Sequence, residues 1–563
     1  MTAKDILRAG VEKALSRAAE KLDLVPGAPI PQPSFEIPKN EAHGDYSTNI
    51  ALVLAPRLKK RPAELANLIV EAFADQSSFV REVSIAGPGF INFSLKESFW
   101  LNQLREILLT GPDFGKSTVG GGKKVQIEFV SANPTGPLHI GHGRGAALGD
   151  SLARILAFCG FQVTTEYYIN DVGTQMEILG RSVLRRYQEL LGRPVEFPEN
   201  HYQGDYIYDV AREAIERFGD TYRDRPDAEA IPLFTALARE SILEGIKKDL
   251  KGFSVSFDTW YSERSLVEKG AVEATIAHLQ SQGYMYLQDG ALWFSSTRFG
   301  DEKDRVVIRE NGQKTYFASD IAYHQDKFSR GFDQVVDIWG ADHHGYVPRI
   351  KSVLQALGID PERLRVLLVQ LVALLREGVP ISMSTRSGQF VTLRAVLDEV
   401  GSDASRYIFL TRRSDSPLDF DLEVAKKQSD ENPVYYVQYA HARLCSILRI
   451  AAERGIDTTS IHTADLSVLS GAEEMALIKR ISHFPDILEL SAQFLEPHRI
   501  ANFLQDLVSI FHRYYHAGKI DGSKRVLTEE EHLTRARLAL VDALRITIRN
   551  ALSLLGVSAP EKM

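Results

Sequence analysis

Residues 132–142 read Ala-Asn-Pro-Thr-Gly-Pro-Leu-His-Ile-Gly-His, and they constrain the fold more than any other stretch. An alternating apolar segment precedes them, Val-Gln-Ile-Glu-Phe-Val at 125–130, with the pattern of a buried strand. Residues 143–156 follow, with apolar positions at helical spacing. A turn of two prolines and a glycine between strand and helix is the entry to a strand–helix unit of a parallel sheet. His139 and His142 fall three residues apart at this junction, on one face of the first helical turn. A helix N-terminus offers unbonded N–H groups and positive dipole character, which suits a phosphate. Two histidines there add donors where charge builds during a displacement at phosphorus.

With 563 residues the chain exceeds what one core can organise, so three or four domains are expected. A net charge of −8 gives no overall electrostatic signature of nucleic-acid binding, so any RNA contact must be local. Cys159 and Cys445 are the two cysteines, too few for a zinc cluster or a disulfide framework. The N-terminal residues carry no apolar signal core and no run is long enough to cross a bilayer, so a reducing cytoplasm is the expected compartment, with no membrane partner.

Three units are expected. The first, residues 1–115, holds a helix with Ile6, Val11, Ala14 and Leu15, a Pro-rich connector at 25–33, a helix through 64–70 and a strand at 90–95. Residues 111–122 are Gly-rich and read as a linker. The second, 116–430, alternates strands and helices as in a parallel α/β sheet, with strands at 125–130, 162–168, 334–339 and 366–371. Residues 176–300 read as a helical insertion with a hairpin near 284–294, and 395–430 as a stem region. The third, 431–563, is almost continuously helical. Its stripe of Leu544, Ile548, Ala551, Leu552 and Leu555 stops at Gly556, and it reads as an all-α bundle.

Three further clusters carry polar chemistry. Residues 379–388 form a hydroxyl-rich loop with one cation, Arg386, fit to close over a triphosphate. Residues 339–345, Trp-Gly-Ala-Asp-His-His-Gly, follow an apolar strand and so lie at a carboxyl edge, where open α/β sheets bind ligands. Asp342 there suits a ribose hydroxyl. If residues 315–323 are helical, Tyr316 and Asp320 share a face. Asp320 together with Glu128 on the strand before the signature turn would suit a planar guanidinium.

Together these segments resemble the class I aminoacyl-tRNA synthetases, and within them the arginyl-tRNA synthetase family. Residues 132–142 are similar to the first signature, and 382–386, Ser-Met-Ser-Thr-Arg, to a degenerate second signature. Residues 167–175, 403–407, 418–422 and 432–443, and Gly44 to Asn49, resemble further family segments. The resemblance implies an α/β Rossmann-like catalytic domain, an N-terminal α+β domain that touches the tRNA elbow, and a C-terminal all-α anticodon-binding bundle. It implies ATP-dependent ligation of L-arginine to its cognate tRNA through an arginyl-adenylate, with Mg2+ accompanying ATP and no protein metal site, by a monomer. Glu128, Asn133, Tyr316, Asp320 and His344 would then hold arginine. His139, Gly141, His142, Gly340, Asp342, His343 and Met383 would hold ATP. Ser384 and Arg386 would join His139 and His142 in catalysis, and Phe90, Asn92, Tyr439 and Arg443 would touch tRNA. Both lysines of the second signature are replaced, by Ser382 and Thr385. Gly136 stands where some relatives with this loss carry a lysine, which leaves Lys123, Lys124 and Arg386 as substitutes. Another class I synthetase, a small adenylyltransferase and a non-catalytic tRNA-binding paralogue remain as alternatives on sequence alone.

Overall fold

A computed structural model describes residues 3–22, 24, 30–38, 40–73, 79–381 and 391–563. The N-terminal unit begins with α1 (Ala3–Arg17), which buries Leu7, Val11, Ala14 and Leu15 on one stripe. β1 (Tyr46–Thr48) leads to α2 (Ile50–Leu58) and α3 (Pro62–Ala72). β2 (Val80–Ala86) and β3 (Phe90–Leu95) form a hairpin around Gly87-Pro88-Gly89, and β3 lies centrally in an antiparallel sheet ordered β1-β3-β2. Ile91, Phe93 and Leu95 face the core while Phe90 begins the other face, as the period of two requires.

α4 (Glu97–Thr110) follows and packs on two bundle helices rather than on the catalytic sheet. The Gly-rich segment expected as a linker is pinned there too. Asn550 Nδ2 donates to the carbonyls of Gly111 and Phe114, each at 3.1 Å, and Ser117 Oγ donates to Glu489 Oε1 at 2.6 Å.

The central sheet starts with β4 (Lys124–Glu128), and α5 (Ile140–Phe158) carries the chain to β5 (Gln162–Ile169). A Cβ on Gly149 would lie 2.1 Å from the Phe129 ring, so glycine is what lets α5 pack this close to the strand exit. α6 (Thr174–Leu190), α7 (Tyr206–Phe218) and α8 (Asp227–Gly252) make the expected helical insertion. β6 (Thr259–Ser262), α9 (Glu263–Glu268) and α10 (Ala271–Ser281) lead to β7 (Met285–Gln288) and β8 (Ala291–Phe294). The expected hairpin is part of a three-stranded sheet. β9 (Arg305–Ile308) pairs with β8, so this substructure runs past the expected limit at 300. α11 (Tyr316–Ser329), β10 (Gln334–Gly340), α12 (Val347–Ala356) and β11 (Leu364–Val369) complete the core.

Five parallel strands stand in the order β11-β10-β4-β5-β6. The chain moves outward from β4 through β5 to β6, then returns to place β10 on the other side of β4. The order therefore reverses between β4 and β10, and the crevice at their carboxyl ends is where such a sheet binds ligands.

The stem contains β12 (Val372–Arg376), β13 (Val379–Pro380), α13 (Leu393–Val400), α14 (Ser402–Phe409), β14 (Leu418–Asp421) and α15 (Leu422–Lys426). The bundle is α16 (Pro433–Glu453), α17 (Ala472–Ser482), α18 (Phe484–Phe494), α19 (His498–Ile520) and α20 (Glu531–Leu554).

Two polar knots join the units. Arg406 of α14 is fully buried. Its Nε donates to the Leu555 carbonyl at 2.9 Å, Nη1 to the Phe253 carbonyl at 3.0 Å, and Nη2 to Asp150 on α5. Between the N-terminal unit and the bundle, the Tyr46 hydroxyl lies 3.0 Å from His483 Nδ1 and donates to Asp486 Oδ2 at 3.1 Å. Lys4 pairs with Asp486 at 3.5 Å and Lys479 with Asp45 at 2.7 Å.

Candidate active site

The signature turn is held from three sides. Tyr167 on β5 donates to the Ala132 carbonyl at 2.8 Å and Tyr206 on α7 to the Thr135 carbonyl at 2.7 Å, while Asn133 Nδ2 donates to Gln175 Oε1 at 2.8 Å. Val130 and Ser131, between β4 and the turn, adopt positive φ of 68° and 41°. For a β-branched residue that conformation costs about 1–3 kcal/mol and persists only when its surroundings enforce it. It turns Ser131 so that its hydroxyl donates to Glu128 Oε1 at 2.8 Å and accepts the Tyr168 N–H at 3.1 Å.

His139 caps α5, its Nδ1 accepting the Gly141 N–H at 3.1 Å. His142 Nδ1 accepts the His139 N–H at 3.2 Å, and the two rings stack with centroids 3.7 Å apart. An Nδ1 that accepts leaves the ring proton on Nε2. Burial pushes the His139 imidazole below its ordinary value. Burial and then His139 push His142 down to about 3. Both therefore serve as neutral donors at a helix N-terminus. Thr392 forms an antiparallel bridge with His139, and the Leu393 N–H donates to the Leu138 carbonyl at 2.7 Å. The chain thus leaves the second signature-like segment beside the first. Residues 382–390 themselves, with Met383, Ser384 and Arg386, lie outside the described residues.

Between the ends of β4, β5 and β10 opens a cavity of about 490 Å3. Of the residues expected to touch substrates, Glu128, Asn133, Tyr316, Asp320, Gly340 and His343 line it. Asp320 is set one helical turn below Tyr316 on α11. Tyr346 donates to Asp320 Oδ2, and among the described residues Asp320 has no ion-pair partner within 4.0 Å. Burial raises its carboxyl above the ordinary value.

Glu128 differs. Its Oε2 receives Lys327 Nζ at 2.5 Å and the Tyr323 hydroxyl at 2.9 Å, and Oε1 receives Ser131, so its charge is already matched. It is not the uncompensated half of a carboxylate pair that the sequence suggested.

Three other expectations are corrected. His344 is exposed, with Nδ1 3.2 Å from the Ala341 carbonyl, and does not line the cavity. The chain coils into a 3-10 turn at Ala341–Tyr346, which brings Tyr346 inward in its place. Asp342 sits on the same turn, exposed and outside the lining. Lys123 and Lys124 stand at the amino end of β4, five residues and so about 13 Å of strand from the carboxyl edge. Neither lines the cavity.

In the N-terminal unit Phe90 is 39% exposed, which excludes a purely core role, while Asn92 is buried between Ser47 and Ser84 of the flanking strands. In the bundle Arg443 donates to Tyr439 and, at 2.8 Å, to Tyr515, and Tyr439 stacks on Tyr435 with centroids 6.0 Å apart.

Lys327, Asp337, Tyr323, His324 and Tyr346 were missed. Two signals were present in the chain. Asp337 interrupts an apolar strand, and Lys327 falls seven residues after Asp320 on the same helical stripe.

Comparison with known proteins bears on this geometry. Residues 103–416 match the class I (R) tRNA synthetase catalytic domain, 5–95 the arginyl tRNA synthetase N-terminal domain, and 437–563 the DALR anticodon-binding domain. The chain belongs to the arginyl-tRNA synthetase family. It is 52% identical over 560 residues to the arginine–tRNA ligase of Citrifermentans bemidjiense, covering all of both chains. It is 54% identical over 562 residues to that of Desulfosudis oleivorans, again covering all of both. The Thermus thermophilus arginyl-tRNA synthetase structure superposes with a TM-score of 0.78 at 23% identity over all of both chains, and shows that the fold is shared. The family's Rossmann-like sheet is the five-stranded core described above, and its helical third unit is the bundle. Among the described residues no helix is long and apolar enough to cross a membrane.

Proposed function

We propose that the chain ligates L-arginine to its cognate tRNA at the β4–β10 crevice, using ATP. The carboxylate oxygen of arginine attacks the α-phosphorus of ATP in line. A new P–O bond forms, the bond to the bridging oxygen breaks, and the electron pair leaves on pyrophosphate. A terminal ribose hydroxyl of tRNA then attacks the carbonyl of the adenylate, and AMP departs. Little covalent chemistry falls to the protein, which aligns reactants and stabilises charge.

One observation carries the reading. The crevice offers a carboxylate without an ionic partner, Asp320, and the signature turn that lines it at Asn133 leads within a few residues to a helix N-terminus bearing two neutral imidazole donors, although His139, Gly141 and His142 are not themselves in the lining. A fixed cation suits the first, and a developing phosphate charge suits the second. Asn133 and Tyr316 would bound the arginine, with Glu128 supplying hydrogen-bond acceptors. Gly340 and His343 would flank the adenosine, and His139, Gly141 and His142 would meet the phosphates, with Mg2+ arriving as part of the nucleotide substrate. Met383, Ser384 and Arg386 would belong to the loop that follows the triphosphate.

Phe90 would meet an unpaired base of the tRNA elbow, and Tyr439 and Arg443 the anticodon arm; Asn92, expected to share the base contact, is buried in the central strand and would support Phe90 instead. The same reading divides the chain at about residues 115 and 430, and places a monomer in the cytoplasm. Incubated with ATP, total tRNA and each standard amino acid in turn, the purified chain is expected to charge tRNA with arginine alone. Charging with a different amino acid, or with none, overturns the reading.

A further inference from the structure

Beneath the crevice lies a charged cluster of which the reading above uses only Glu128. Lys327 is fully buried, with Nζ 2.5 Å from Glu128 and 2.7 Å from Asp337. Its ammonium also lies over the Tyr323 ring, 4.4 Å from the centroid. His324 Nδ1 lies 2.8 Å from the Asp320 carbonyl and Nε2 lies 3.1 Å from Asp337 Oδ2. Tyr323 donates to Glu128 and, at 2.6 Å, to Glu166, whose charge is matched by Arg330 at 2.5 Å. Two buried carboxylates, Glu128 and Asp337, thus face one buried ammonium, Lys327, with the His324 imidazole beside Asp337.

Such a cluster is costly to desolvate and is a poor device for stability. Its position suggests another use. Glu128, His324 and Asp337 all line the cavity together with Asp320, which lies one helical turn before His324 on α11.

We propose that Lys327, with His324 beside it, is a positioning residue for substrate selection: it offsets Glu128 and Asp337 from below, so that Asp320, rather than either of them, presents the negative charge that meets the guanidinium. This rests on the reading of the crevice as the arginine site. Glu128 then acts by hydrogen bonding, its orientation fixed by three donors. A substrate end with one positive charge meets one negative charge, and a neutral or doubly charged end is mismatched.

The directions of the ionisable groups agree with this. Burial pulls the Lys327 ammonium down, but Asp337 and Glu128 outweigh it and hold it up at about 12. Burial pushes Glu128 up even against Lys327, so this carboxyl is the one ready to take a proton once the ammonium is gone. A protonated Glu128 would turn an O–H toward a guanidinium made wholly of N–H donors.

The test is Lys327→Met in the full chain. kcat/KM for arginine is expected to fall about 30-fold, mostly through KM, with KM for ATP unchanged within about twofold. Methylammonium at tens of millimolar should restore a large part of the loss by refilling the ammonium site, and tetramethylammonium, which cannot donate, should not. Lys327→Arg should retain more activity than Lys327→Met. The proposal is overturned if Lys327→Met keeps the wild-type KM for arginine. It is equally overturned if arginine and ATP parameters fall together with no response to methylammonium, since that is the behaviour of a packing residue. A wild-type chain that fails to charge tRNA with arginine would instead refute the reading of the site.

Discussion

The two ends of the crevice handle charge in opposite ways. At the signature turn, burial strips two histidines of their protons and leaves them as neutral donors. At the other end, a buried ammonium is bonded to two of the carboxylates, Glu128 and Asp337. On the proposed reading, the difference follows from what each end would meet. A guanidinium arrives with its charge already formed, so a fixed countercharge can be built in and its excess trimmed. The phosphate charge redistributes during the reaction, and donors without charge of their own can follow it without holding the ground state too tightly.

The comparison can be broken at several points. His142→Ala removes one donor from the phosphate end and should lower kcat about 100-fold, with KM for arginine nearly unchanged. A loss confined to KM would place His142 in ground-state binding instead. Because His142 titrates near 3, no inflection from it should appear in the kcat profile at neutral pH.

Asp320→Asn acts at the other end. It should lower kcat/KM for arginine by about 30-fold and leave ATP affinity alone. Glu128→Gln, which keeps an acceptor oxygen, should cost less than Asp320→Asn. Were the order reversed, Glu128 rather than Asp320 would carry the recognition.

Phe90→Ala lies outside both ends. With stacking worth about 1–3 kcal/mol per base, it should raise KM for tRNA by about tenfold while arginine and ATP constants stay put. An early-melting variant weakened for all three substrates would mark Phe90 as structural.

The smallest effect concerns stability. At the N-terminal junction, burial, then Arg480, Lys4 and Lys479, push His483 down to about 3. Its folded value lies below the unfolded value of about 6.5, so the folded state binds fewer protons over that interval and stability rises with pH there. Conversely, stability is lost as pH falls from about 6.5 toward 3. Asp486, raised by burial, acts with the opposite sign over its own range. The decisive quantity is therefore a difference: His483→Gln should flatten the acid-side fall in Tm, and an unchanged slope would remove His483 as its source.

Much of this arrangement was legible in the sequence where a pattern is local. Strand periodicity placed β4, β5, β10 and β11 within two residues at each end, and the signature turn fell between strand and helix as its prolines and glycine required. The turn also brought Asn133 to the crevice, and helical spacing aligned Tyr316 with Asp320. What escaped depends on distant partners. Nothing near Glu128 in sequence reveals that Lys327, about two hundred positions later, is bonded to it. Nor does any propensity foretell Val130 in a left-handed conformation, since that is imposed by its neighbours. Lys124 misled for a related reason: nearness in sequence to the signature hid the fact that a strand separates its two ends in space.

Arg406 has a consequence for how such a chain can be rearranged. Its guanidinium is bonded at once to the signature helix, to the end of the insertion and to the last carbonyl-bearing turn of the bundle. Gly556, with φ of 66°, packs so tightly on it that a methyl group would lie 2.3 Å from Nη2. The third unit is therefore not a detachable cassette. Cutting the chain near residue 430 would strip a buried cation of one of its acceptors, and grafting on a foreign bundle would succeed only if the graft reproduced both the Leu555 carbonyl and the glycine beside it. Recombination among relatives should accordingly inherit α5, α14 and the end of α20 as one block, although more than four hundred residues separate the first from the last.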